Sequence, residues 1–231
     1  MLLAELEVWH SRPVTPTRRV ALGHLVLPAD PPPGFGGLLL GAVVAAHLDG
    51  VDEDIIPDLH RLIDQVDRGE RVVQPRLRHR YQVDRHGLAH STHRLIGEGE
   101  DLSFEFRNNG TAIQQVLGAV YATERLEQRS RHAVTAILYK AMRWRGPIGP
   151  ALISHFVGSR AASFSTLADP RAWALGVLGF PPGTVAPSKK EVVAAFRNRL
   201  REVHPDHGAS HAAASAAIGD LAEARRLLTE K

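Results

Sequence analysis

The chain has 231 residues and contains no cysteine, no long hydrophobic segment and little excess of charge of one sign. The absence of cysteine excludes disulfides, thiolate zinc sites, iron–sulfur ligation and cysteine nucleophiles. The longest apolar run, residues 38–46, contains a glycine and has about half of the roughly 20 residues that a membrane-spanning helix needs. Acidic residues follow the first methionine closely, where a secretory signal would be basic and then apolar. We therefore expect a soluble, cytoplasmic protein with no membrane partner.

The charge pattern identifies no partner by itself. The formal net charge is +3, and acidic and basic residues are interspersed over most of the chain. A nucleic-acid-binding domain concentrates its basic residues on one face or in one stripe. From composition alone, nucleic acid is therefore an unlikely partner.

The first part of the chain shows both strand and helix patterns. Apolar residues that alternate with a period of two predict strands, and apolar residues three or four apart predict helices. Strands are predicted at residues 2–9, 19–27, 77–83, 88–96 and 102–107. Helices are predicted at residues 38–48, 52–66, 112–121 and 133–144. We interpret residues 1–145 as an α+β domain of unknown function.

The domain boundary is predicted from a group of breaking residues. Residues 146–150 read Gly-Pro-Ile-Gly-Pro, the densest such group in the second half of the chain. The residues that follow, up to Pro170, are mainly small and polar. We interpret residues 146–169 as a linker and residues 170–231 as a second, all-α domain.

Three helices are predicted in this second domain. The first is short, residues 171–178, and ends at Gly179. The second begins at Ser188, because Ser188 and Glu191 have the spacing of a capping box. In that motif the hydroxyl accepts from the amide three residues on and the carboxylate reaches back, which stabilises the helix by about 1 kcal/mol.

The second helix carries two stripes of side chains at helical spacing. The apolar stripe, which we expect to be buried, consists of Val192, Phe196, Leu200 and Val203. The basic stripe, which we expect to face water, consists of Lys190, Arg197 and Arg201.

A proline ends the second helix. Pro205 disfavours the helical conformation at His204 and removes an amide donor, so a loop begins at residues 204–206, His-Pro-Asp. Helical spacing resumes near residue 210, and its apolar residues face back toward the second helix. The two helices are thus predicted to be antiparallel, with the loop between them.

Residues 170–231 resemble the J domain of DnaJ-type proteins. The mark of that family is a His-Pro-Asp loop between two antiparallel helices. The match also includes Leu178-Gly179-Phe180, the cap at Ser188, Ala195-Phe196-Arg197, and Ile218, Leu221, Ala224 and Leu228. The resemblance implies that residues 170–231 form an all-α J domain with a short first helix and an antiparallel helical hairpin. The fold class expected for the whole chain is therefore an α+β amino-terminal domain followed by this J domain.

The resemblance also implies a function. The chain would be a co-chaperone that docks on a DnaK-type heat-shock chaperone and stimulates its ATPase, without a cofactor or metal and without being an enzyme itself. The implied partner-binding residues are His204, Pro205, Asp206, Lys190, Arg197 and Arg201. There is no Gly/Phe-rich segment and no zinc module, so the chain resembles J proteins in which another domain selects the client or the location. That task is expected of the amino-terminal domain.

Two alternatives stay open. His86, His90 and His93 form the densest imidazole cluster outside the J-like segment. On one helix they could share a face and hold a metal ion with an activated water, as in a metal-dependent hydrolase. The pattern favours a strand, however, on which His93 points away from the other two. The second alternative is a protein or nucleic-acid adaptor with a vestigial J domain.

Overall fold

The computed structural model of the chain describes residues 1–11, 20–72, 88–157, 167–181, 183–203 and 211–229. The chain divides into two units, Met1–Phe156 and Val157–Lys231. In these ranges the first unit contains strands and helices and the second contains helices. The predicted order of an α+β part followed by a helical part is therefore confirmed. The boundary between the units falls inside residues 146–169, the predicted linker.

An antiparallel sheet forms the frame of the first unit. Its strands are ordered β2-β1-β3-β4 and lie at predicted strands. Their bounds are β1 (Leu2–Ser11), β2 (Val20–Val26), β3 (Leu88–Glu98) and β4 (Asp101–Arg107). From Thr92 to Ile96, β3 is paired with β1 on one side and with β4 on the other. Residues 77–83, the partner that the sequence predicts for β3, lie outside the described residues.

Alternation along β1 decides which face of the sheet is covered. Side chains two residues apart on a strand point to the same face, and Leu6 and Val8 are both 0% exposed. The face to which they point is therefore the covered one. The helices α1 (Gly34–His47) and α3 (Ala112–Thr123) contact the sheet. The contact with α3 is close, since a Cβ added at Gly118 would lie 2.5 Å from a methyl group of Val8. The core of the first unit therefore lies between the sheet and these helices.

Glycine lets the central helix α1 approach its neighbour. The helix begins at Gly34, earlier than the predicted residue 38, and its glycines are packed rather than helix-breaking. A Cβ added at Gly41 would lie 2.5 Å from Ile137 Cγ2 on α4 (Gln128–Met142). None of the helices in the described part of the chain, α1 included, combines the length and the apolar composition of a membrane-spanning segment.

A short helix occupies part of the predicted linker. The remaining described α-helices of the first unit are α2 (Ile56–Asp67) and α5 (Pro150–Val157). In α5, the side chains of Leu152, Ile153 and Phe156 are at most 1% exposed. These residues are core, so the first unit extends past the breaking residues at 146–150.

Three helices of the second unit share one core. They are α6 (Pro170–Val177), α7 (Lys189–Glu202) and α8 (His211–Thr229), close to the predicted positions. Asp169 caps α6 by accepting a hydrogen bond from the Ala172 amide at 2.8 Å. All three segments contribute to the buried core, which consists of Ala174, Leu178, Val192, Leu221 and Ala224.

A glycine substitution tests the close approach of α1 and α4. In Gly41→Ala the new methyl would lie 2.5 Å from Ile137 Cγ2 and 2.8 Å from a ring carbon of Phe156. Such distances force the neighbours to shift, so we expect the free energy of unfolding to fall by about 1–3 kcal/mol, as measured by urea denaturation.

The matched control is Gly176→Ala in α6. No heavy atom lies within 4 Å of the added Cβ there. Alanine has the higher helix propensity, so this variant is expected to gain about 0.5–1 kcal/mol. If Gly41→Ala changed the free energy of unfolding in the same way as Gly176→Ala, the packing described for α1 would be contradicted.

Candidate partner-binding surface

The capping box that the sequence predicts stands at the start of α7. The amide and the hydroxyl of Ser188 both donate to Glu191 Oε2, each at 2.7 Å. The Glu191 amide donates in return to Ser188 Oγ at 3.3 Å. The bonds from Ser188 stabilise the ionised carboxylate and so lower the pKa of Glu191. The first turn of α7 is thus fixed at a defined residue.

The basic stripe of α7 lies opposite its buried face. Successive side chains on an α-helix are about 100° apart, so Lys190, Arg197 and Arg201 fall within about 40° of one another. All three are exposed. Val192, which is 0% exposed, points to the other side of the helix and into the core. The stripe therefore faces solvent because the apolar side of the same helix is buried.

Within the described residues, no acidic side chain pairs with this stripe. The Arg201 guanidinium donates to Asn198 Oδ1 at 2.7 Å and to the Arg197 carbonyl at 3.3 Å, and both acceptors are neutral. The carboxylate of Glu202 pairs instead with Arg199 at 2.9 Å. Within the described ranges, the stripe thus presents positive charge that no carboxylate neutralises.

Two further arginines hold α7 in place, and no sequence pattern indicated them. The guanidinium carbon of Arg225 on α8 lies 4.9 Å from the centre of the Phe196 ring, a cation–π contact. Arg199 packs on Gly179 at the end of α6, where an added Cβ would lie 2.6 Å from a guanidinium nitrogen. These contacts join residues far apart in the sequence, so only the packed structure reveals them.

The His-Pro-Asp tripeptide follows α7 almost directly. The helix ends at Glu202, Val203 is its C-cap, and α8 begins at His211. His204, Pro205 and Asp206 lie outside the described residues, so the predicted loop stays a prediction.

The imidazoles of β3 do not share a face. His90 is exposed and stacks on Trp9 with ring centres 4.7 Å apart. His93 is 0% exposed, and its Nε2 donates to Gln115 Oε1 at 2.9 Å. Burial lowers the pKa of His93 to about 4. His86 lies outside the described ranges, and inside them no group of three or more His, Asp or Glu side chains is placed to hold a metal ion.

The second unit thus has a positive surface on α7, a helix that is capped at Ser188 and packed against α6 and α8. Such a surface attracts an acidic partner from a distance and speeds the encounter. Comparisons with protein-family models, with curated proteins and with solved structures find no match to this chain.

Removing the Ser188 hydroxyl tests the cap. We expect Ser188→Ala to lower the free energy of unfolding by about 1 kcal/mol near neutral pH, as measured by urea denaturation. The hydroxyl donates to the ionised carboxylate of Glu191, whose pKa is below the ordinary 4.5. That contribution is present above pH 4.5 and is lost as the pH falls through the lowered pKa. The difference between variant and wild type should therefore shrink in acid, and a difference that grows in acid would contradict the capping box.

Proposed function

We propose that the protein is a J-domain co-chaperone. Its second unit docks on a DnaK-type chaperone and stimulates the ATPase of that partner, and its first unit selects a client protein or a location. One observation carries the proposal: α7 is a capped helix whose basic stripe lies opposite its buried face and has no acidic partner among the described residues, and only Val203 separates the helix from the His-Pro-Asp sequence. The same order of features underlies the resemblance to the J-domain family.

The two parts of this surface have different tasks. The stripe of Lys190, Arg197 and Arg201 guides an acidic surface of the chaperone into place, through an attraction that salt screens beyond about 8 Å at physiological ionic strength. Residues 204–206 then contact the partner beyond the end of α7 and shift its ATPase toward hydrolysis. ATP is bound and cleaved by the partner, and no bond is made or broken in this chain.

The helices around α7 supply rigidity. Val192 is buried among residues of α6 and α8, and Phe196 lies under the Arg225 guanidinium. In a helix held in this way, the position of the basic stripe relative to the carboxyl-terminal end of the helix stays constant. Association then costs less conformational entropy than it would for a flexible basic segment.

The ATPase of the DnaK-type chaperone from the same organism tests the proposal. The full chain is expected to raise the steady-state rate of ATP hydrolysis several-fold, and both His204→Gln and Asp206→Asn are expected to abolish that effect. Circular dichroism should show that the variants keep the wild-type helix content. An unchanged ATPase rate with wild type, or wild-type stimulation by both variants, would refute the proposal.

Charge reversal tests the role of the stripe. We expect Arg197→Glu combined with Arg201→Glu to raise the concentration for half-maximal stimulation about tenfold at low salt, because attraction becomes repulsion. The difference should shrink at high salt.

The matched control for charge reversal lies in the first unit. Arg125→Glu combined with Arg129→Glu changes the net charge equally at two exposed residues. This control is expected to behave like wild type. Equal effects of the two double variants would show that only net charge matters, contrary to a docking role for α7.

A further inference from the structure

We propose that β4 pairs with β4 of a second copy of the chain, so that two sheets join edge to edge. β4 is the last strand in the order β2-β1-β3-β4. Among the described residues it pairs on one side only, with β3. In this part of the chain, its other side therefore presents unpaired backbone N–H and C=O groups to which a further strand can bind.

β4 lacks three of the features that commonly protect an edge strand, namely proline, lysine and a β-bulge. Its sequence, Asp-Leu-Ser-Phe-Glu-Phe-Arg, contains neither proline nor lysine. Its register with β3 runs without a bulge from Asp101 to Arg107. An edge strand of this kind is a ready template for a second strand.

Aromatic surface extends to this edge of the sheet. Phe104 and Phe106 alternate with exposed residues, are themselves half-buried, and stack with ring centres 6.1 Å apart. Phe106 also contacts the rings of His47 and His93 edge-on, at 5.8 Å and 5.5 Å. A second β4 alongside would place further apolar side chains against Phe104 and Phe106 and would cover the exposed part of these two rings.

Symmetry restricts the register of such a pair. Two identical antiparallel strands are related by a two-fold axis perpendicular to the sheet, and residues opposite each other point to the same face. One residue therefore lies on the axis, opposite its own copy. The registers with the greatest overlap have Ser103, Phe104 or Glu105 in that position.

Charge selects Phe104 among these three. With Phe104 on the axis, Asp101 lies opposite Arg107 at both ends of the pair, and Ser103 lies opposite Glu105. With Ser103 on the axis, Asp101 would face Glu105, and with Glu105 on the axis this carboxylate would face its own copy. Opposite charges across a strand pair stabilise it and like charges destabilise it. Asp101 and Arg107 are both exposed and form no ion pair within the described structure, so the pairing supplies each with a partner.

The expected dimer is modest in size. A pair of seven-residue strands is about 23 Å long and buries less than the roughly 1,600 Å² of a standard stable interface. Association should therefore depend on protein concentration, which sedimentation equilibrium measures directly.

Cysteine cross-linking of the full chain tests the register, and the wild-type chain contributes no background because it has no cysteine. Opposite residues in an antiparallel pair have Cα atoms about 4.5–5.5 Å apart, within the range of a disulfide, whereas diagonal neighbours are about 7–8 Å apart. We expect Phe104→Cys to form a disulfide-linked dimer on mild oxidation. Ser103→Cys and Glu105→Cys should cross-link well only when the two variants are mixed.

Charge exchange tests the same pairing without a covalent bond. Asp101→Arg alone places two arginines opposite each other at each end. The dissociation constant of the dimer should therefore be about tenfold higher than that of wild type. Asp101→Arg combined with Arg107→Asp restores opposite charges and should restore the dimer. Thermal unfolding of each variant should match wild type, because both residues are exposed.

Other outcomes overturn the inference. A wild-type chain that stays monomeric up to the highest soluble concentration shows that the edge does not pair. A dimer that Asp101→Arg leaves intact, or one in which Ser103→Cys cross-links to itself as well as to Glu105→Cys, shows that another surface or another register is used. None of these results bears on the ATPase assays, so this inference and the proposed function fail or succeed separately.

Discussion

Burial of Val192 fixes the rotation of α7 about its own axis, and the direction of every other side chain on that helix follows from it. With Val192 in the core that α6 and α8 complete, helix geometry turns Lys190, Arg197 and Arg201 toward solvent. The capping box at Ser188 adds a fixed starting point. The orientation of the positive surface is therefore a consequence of apolar packing.

Local patterns predict the helices and strands well because their causes lie within a few residues. The cap at Ser188 and the alternation along β1 are examples. Contacts between distant segments were not predictable in this way. The position of Arg225 over Phe196 and the hydrogen bond from His93 to Gln115 depend on how separate elements pack. No pattern in the neighbouring sequence indicates which residue contacts Phe196 or His93.

Strand order shows the same limit on a larger scale. The sequence suggested that β3 would fold back on the segment just before it, as neighbouring strands often do. Over its central residues β3 instead lies between β1 and β4, and β1 comes from the opposite end of the unit's sequence. This exchange leaves β4 at the border of the sheet. An assembly joined through that border would contain two copies of α7, and a partner with more than one acidic site would bind both copies and so gain avidity.

The position of α5 has a practical consequence for anyone who wishes to separate the two halves of the molecule. A Cβ at Gly41 would lie 2.8 Å from the Phe156 ring, so α1 leaves a notch that this ring fills. A fragment cut at residue 145, where the chain looks most divisible, would lose the ring and leave the notch open to water. The α+β half should therefore be expressed at least as far as Phe156, where the first unit ends.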